Sequence, residues 1–85
     1  MSYWNIIFQR NDNGQMVTIQ TTSDVMFVEI ALKFCNKAGI EGNDKVKYIY
    51  NNEELKVNSP KSLAELKLRN GAQIIVVMTS TVIGA

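Results

Sequence analysis

The sequence predicts an α+β domain in which one helix packs against one face of a sheet. Two observations carry that prediction. Several short segments alternate apolar and polar residues with the two-residue period of a half-buried strand. Only one long stretch, Val25 to Ala38, repeats at helical spacing without Gly or Pro. A single helix facing a single sheet buries one face of each, which is the α+β solution.

Each element has its own signal. Trp4 to Gln9 reads as a strand with Trp4, Ile6 and Phe8 on one face and Ile7 on the other. Asn11-Asp12-Asn13-Gly14 is a turn cluster whose residues accept positive φ, and Met16 to Thr22 alternates again with Val17 and Ile19 inward. These two strands form a hairpin. Ser23 or Asp24 is placed to cap a helix from Val25 to Ala38. Its core stripe is Phe27, Ile30, Ala31, Phe34 and Ala38, and Gly39 stands where a left-handed glycine ends a helix. Val46 to Tyr50 is a third strand, Asn51-Asn52 a turn, and Glu53 to Val57 a short edge strand. Ser62 to Leu66 suits one helical turn in which Ser62 and Glu65 form a capping box. Asn70-Gly71 turns the chain into a last strand, Gln73 to Met78.

Composition narrows the function. The chain has 85 residues, 46% hydrophobic and 20% charged, as expected of one small globular domain. Its longest apolar run, Ile74 to Met78, is far short of the ~20 residues that span a bilayer, so no membrane role is expected. Met1-Ser2-Tyr3-Trp4 lacks the basic start of a secretory signal. The single cysteine, Cys35, excludes an internal disulfide and fits a reducing, cytoplasmic setting. It sits at the edge of the helix stripe, where a small buried hydrophobe is expected rather than a nucleophile. A net charge of +1 with scattered Lys and Arg gives no basic stripe for nucleic acid. Without histidine, and with one cysteine, no Cys/His metal site forms. There is no glycine-rich phosphate cradle. The expectation is a protein with no catalytic residues, no cofactor and no small-molecule substrate.

The element order and three stretches together resemble the β-grasp fold of the ubiquitin-like family. Lys37-Ala38-Gly39-Ile40 is similar to the family's helix end. Lys47 to Leu55 is similar to its third strand, turn and following leucine. Ser62-Leu63 through Gly71, then Ile74 to Val77, are similar to its short helix and closing strand. The resemblance covers roughly residues 4 to 79. It implies a four- to five-stranded mixed sheet on one helix, with residues 1–79 as the domain and 80–85 as a short apolar tail.

Departures from the family bear on function. Conjugated relatives end in an arginine-bearing tail closed by Gly-Gly, where this chain has Thr79-Ser80-Thr81-Val82-Ile83-Gly84-Ala85. Glu53 and Asn70 stand at positions matching two chain-linking lysines. Ubiquitin-type conjugation, and a sulfur-carrier role needing Gly-Gly, are therefore not expected. The ubiquitin-fold modifier branch ends in a single glycine after valine once a short extension is trimmed. Ile83-Gly84 followed by Ala85 is similar, so a covalent modifier acting through Gly84 is the alternative reading.

Placed on the family pattern, Ile7, Ile49, Ile75 and Val77 point outward from adjacent strands as a row for binding another protein. Ile49 and Val77 match members of the family's apolar patch and Lys47 a basic residue beside it, whereas Asp12-Asn13 replace its leucine. A one-residue slip of register would exchange core and surface, and Ile74-Ile75-Val76-Val77 is apolar at every position and does not fix the phase. On the helix, Val25, Val28 and Leu32 lie off the core stripe and mark a possible second interface, unless a wider core absorbs Val28. The leading expectation is an interaction module, an adaptor or a small subunit of a larger assembly, with Val82, Ile83 and Gly84 adding docking contacts.

Overall fold

A computed structural model describes residues 3–42 and 45–79. The elements run β1 (Trp4–Arg10), β2 (Met16–Thr21), α1 (Phe27–Ala38), β3 (Val46–Tyr50), β4 (Glu53–Leu55) and β5 (Gln73–Met78). The five strands make one mixed sheet in the order β2-β1-β5-β3-β4. β1 and β5 pair in parallel, and the other three ladders are antiparallel. β4 is shorter than the run expected from Glu53 to Val57.

Local chemistry sets the turns. After β1, Gly14 at φ 76° donates its N–H to the Arg10 carbonyl at 3.1 Å, and Arg10 donates to Gln15 at 2.8 Å. This is a glycine bulge that closes the hairpin. Between β3 and β4, Asn51 and Asn52 both adopt positive φ, 54° and 68°, the pair of left-handed residues that a two-residue hairpin needs.

The helix starts two residues later than the capping signal predicts. Met26 is its N-cap at φ −75°, ψ 147°, with no side-chain hydrogen bond, and neither Ser23 nor Asp24 caps it. The reason lies across the chain. The Ser23 carbonyl accepts from Ala64 N–H at 3.1 Å and the Val25 carbonyl from Leu63 N–H at 3.0 Å, while Met26 bridges Ser62. Those bonds hold the segment extended, and Asp24 instead accepts from the Thr22 hydroxyl. At the other end Gly39 is left-handed as expected and donates to the Cys35 carbonyl.

The 62–66 segment forms a hydrogen-bonded turn rather than a helix. Its capping box is reciprocal: Ser62 N–H donates to Glu65 Oε1 at 2.8 Å, and Glu65 N–H donates to Ser62 Oγ at 3.3 Å. Those bonds hold the Glu65 carboxyl below its ordinary pKa. Lys67, left-handed at φ 67°, ends the turn.

Between sheet and helix lies a core centred on four aromatic rings. Phe8 stacks on Phe34 with centroids 4.8 Å apart, and Tyr48 meets Phe27 edge-on at 5.2 Å. All four are fully buried. The Tyr48 hydroxyl lies 3.3 Å from Cys35 Sγ, so the polar end of the ring is partnered inside the core. Burial first, and the thiol contact second, push the Tyr48 phenol far above its ordinary value of 10.0.

Two predictions follow from this core. Phe8→Ala removes a ring that touches the other three, and the expected loss in urea unfolding is about 4 kcal/mol. That is most of the stability of a small domain. Because the folded state holds Tyr48 neutral, its contribution is full below the unfolded phenol pKa and declines as pH rises past it. Urea midpoints taken from neutral to strongly alkaline pH should fall more steeply for the wild type than for Tyr48→Phe. Parallel curves would refute this assignment.

Candidate protein-binding face of the sheet

The face opposite α1 follows from strand alternation. Ile6 and Phe8 of β1, Tyr48 of β3, and Ile74 and Val76 of β5 are buried toward the helix. Ile7, Ile49, Ile75 and Val77 therefore point to the other side, where each remains half-buried. Pairing with β1 settles the phase of the all-apolar β5, since Phe8 stands beside Ile74.

Ladder registers place these side chains on a grid. One rung crosses all five strands as Met16, Gln9, Ile75, Ile49 and Glu54. In the next, Val77 faces Lys47. In the preceding one, Thr18, Ile7 and Gln73 lie side by side. Ile49, Ile75 and Val77 are thus contiguous, either directly opposed or two residues apart on one face, within contact reach. Ile7 is set apart from them. The Gln73 side-chain amide donates to the Gln9 side-chain carbonyl, and this bridge occupies the diagonal between Ile7 and Ile75.

Charge borders the aliphatic trio. Lys47 is exposed beside Val77. Glu54 is exposed beside Ile49 and lies 3.6 Å from the Lys56 ammonium, an ion pair too solvated to matter much. At the first turn, Arg10 donates to both carboxylate oxygens of Asp12, at 3.0 and 2.8 Å, and holds that carboxyl below its ordinary pKa. An ion pair therefore stands where the ubiquitin-like pattern has a leucine. Asn70, at a position matching a chain-linking lysine, serves the fold: its Oδ1 accepts from Asn5 N–H at 2.7 Å and steadies the start of β1.

The other predicted positions are spread out. Val25 lies before the helix, packed on the core. Val28 is half-buried on α1, and Leu32 is 49% exposed. Val82, Ile83 and Gly84 lie outside the described residues. Met16, 56% exposed on the outer rung, was not singled out from sequence, although inward Val17 and Ile19 leave it facing out. The Gln9–Gln73 bridge depends on the parallel β1–β5 register, which no local pattern reveals. Among the described residues no group of three or more His, Cys, Asp or Glu side chains could hold a metal ion, and no helix is long and apolar enough to cross a membrane.

Comparison with known proteins places the architecture. No family model matches the sequence, and a search of curated proteins finds no match. Solved structures do match. The ubiquitin-like domain of yeast Ddi1 superposes with a TM-score of 0.81 at 18% identity, over 93% of this chain and 92% of that one. Ubiquitin of Caldiarchaeum subterraneum gives 0.79 at 18% identity, over 98% and 100%. A designed protein based on ubiquitin gives 0.77 at 20% identity, over 98% and 96%. With one helix on a five-stranded mixed sheet in this order, the chain has the ubiquitin-like β-grasp fold.

Proposed function

We propose that this chain is a non-catalytic protein–protein interaction module, an adaptor or a small structural subunit of a larger assembly. The observation that carries the reading is the contiguous Ile49–Ile75–Val77 trio on the sheet face that no described element covers. Partner binding buries these aliphatics, with Lys47 on one border orienting an acidic group of the partner. Ile7 contributes from beyond the glutamine bridge.

Magnitudes indicate how much more is needed. Three half-buried aliphatics supply about 3 kcal/mol at ~25 cal/mol per Å² of apolar area, short of the ~4 kcal/mol of a millimolar complex even before the cost of association is counted. Further contacts must strengthen the complex. Thr79 N–H bonds to the Lys45 carbonyl at 2.9 Å, so the chain leaves β5 next to the Lys47–Val77 rung. In this reading residues 1–79 are the binding domain and the 80–85 tail, through Val82 and Ile83, extends the contact. Leu32, with half-buried Val28 one turn before it on α1, is the second surface, to which core-packed Val25 does not extend. The buried Cys35, a thiol outside any disulfide, suits a cytoplasmic, reducing setting.

A second reading rests on the Ile83-Gly84 pair, which would serve a covalent modifier if the chain were cleaved after Gly84. Affinity purification with intact mass analysis separates the two. Chains recovered noncovalently with a partner support the module, and Gly84 found in isopeptide linkage to lysine supports the modifier. For the face itself, Ile49→Glu should cut partner capture at least tenfold while circular dichroism and the urea midpoint stay near wild type. Undiminished capture by the folded variant would refute the sheet-face reading.

A further inference from the structure

The sequence treats the two edges of the sheet differently. β4 spans only Glu53–Leu55, and Glu53, Glu54 and Lys56 place charge along it, devices that discourage strand addition. β2 has none of them. Its six residues carry no charge and no proline, its ladder to β1 is unbroken, and the uncharged run extends from Gln15 to Ser23.

Backbone alternation shows what this edge offers. Arg10 N–H donates to the Gln15 carbonyl, which fixes the phase of the ladder. The backbone groups of Val17, Ile19 and Thr21 then face β1, and those of Met16, Thr18 and Gln20 face away. Among the described residues, none bonds to these outward groups.

We propose that β2 pairs with β2 of a second copy of this chain, antiparallel about a two-fold axis at Thr18, joining the two sheets edge to edge. Outward groups must meet outward groups, and of the two-fold registers that do so, the one centred on Thr18 engages all three residues. Each of the three then donates and accepts once across the interface. On the outer face, Thr18 meets its symmetry mate and Met16 meets Gln20. On the core side, half-buried Val17 meets Ile19, a β-branched pair that extends the apolar layer. No like charges meet anywhere along the strand, whereas a charged edge would repel its own copy. This pairing is independent of the Ile49 face.

Sedimentation equilibrium of the whole chain tests it. The weight-average mass should rise from 9.6 kDa toward twice that value as concentration approaches millimolar. Thr18 is exposed, so Thr18→Lys and Thr18→Glu are surface changes that leave the domain folded while placing like charges across the axis. Each variant alone should stay at the monomer mass, and an equal mixture should regain the dimer. In the wild type, hydrogen exchange at the Thr18 and Gln20 amides should slow with concentration, a readout that needs no variant. A chain that is monomeric at every concentration overturns the proposal. So does a dimer that survives both Thr18 variants or is lost in Ile49→Glu instead. Protection of those amides by an extended peptide, with the chain itself monomeric, would likewise overturn self-pairing.

Discussion

The fully buried Tyr48 ring, set against Phe8, Phe27 and Phe34, is the contact on which the rest of the structure depends. These four side chains come from β1, α1 and β3, so one cluster joins three elements that are distant in sequence. Large rings pack in few ways, and a one-residue slip of any contributing strand would move its ring from the core to water. The cluster thereby fixes strand phase as well as stability. Once Phe8 and Tyr48 point inward, Ile7 and Ile49 must point outward. The outer aliphatic face is the complement of the core rather than a separately built feature.

Insertion of β5 between β1 and β3 completes that logic. A hairpin and a second, later strand pair would leave two half-sheets. The closing strand, apolar on both faces, joins them through a parallel ladder on one side and an antiparallel one on the other. Its two apolar faces have different tasks. Ile74 and Val76 fill the core, and Ile75 and Val77 form the middle of the outer patch. A strand buried on both faces reads as a continuous apolar run, and one that is half-covered normally alternates. β5 is half-covered within this chain yet written like a fully covered strand, and that mismatch is what supports an external partner.

Much of this was legible in the residues, and what was not has identifiable causes. The phases of the alternating strands, the Gly39 helix end and the Ser62–Glu65 capping box are local, and period or spacing reveals each, whereas the phase of all-apolar β5 is set by its pairing with β1. The helix starts later than its capping signals indicate, although Ser23 and Asp24 are good caps in isolation. Their segment is instead held extended by bonds to residues 62–64, a tertiary contact that local propensity does not record. In the outer trio, Ile49 is readable from alternation in β3, and Ile75 and Val77 only through the resemblance, because β5 does not alternate. The separation of Ile7 from the trio is not readable, because the Gln9–Gln73 bridge exists only once the parallel register is known. Val25 fits the helical period but packs on the core from the same extended segment.

A single small domain has few surfaces, and in this one they carry different chemistry. The helix buries one face in the core and exposes Glu29, Lys33 and Lys37 around Leu32 on the other. The β4 edge is short and charged, and the first turn is closed by the Arg10–Asp12 ion pair. Charge marks each of those regions. Two uncharged regions remain, the Ile49–Ile75–Val77 face and the β2 edge, and they attract by different means. The face offers area with little directionality, so it tolerates partners of varied backbone so long as they are apolar. The edge offers directional backbone groups with little area, so it selects an extended strand in one register. Met16 lies on the outermost rung of the Ile49–Ile75 face and on the edge strand itself, so it is placed to touch an occupant of either. The trio lies on β3 and β5, away from the β2 edge, so two copies joined along β2 as proposed would present two such trios, and avidity would offset the weakness of each small patch.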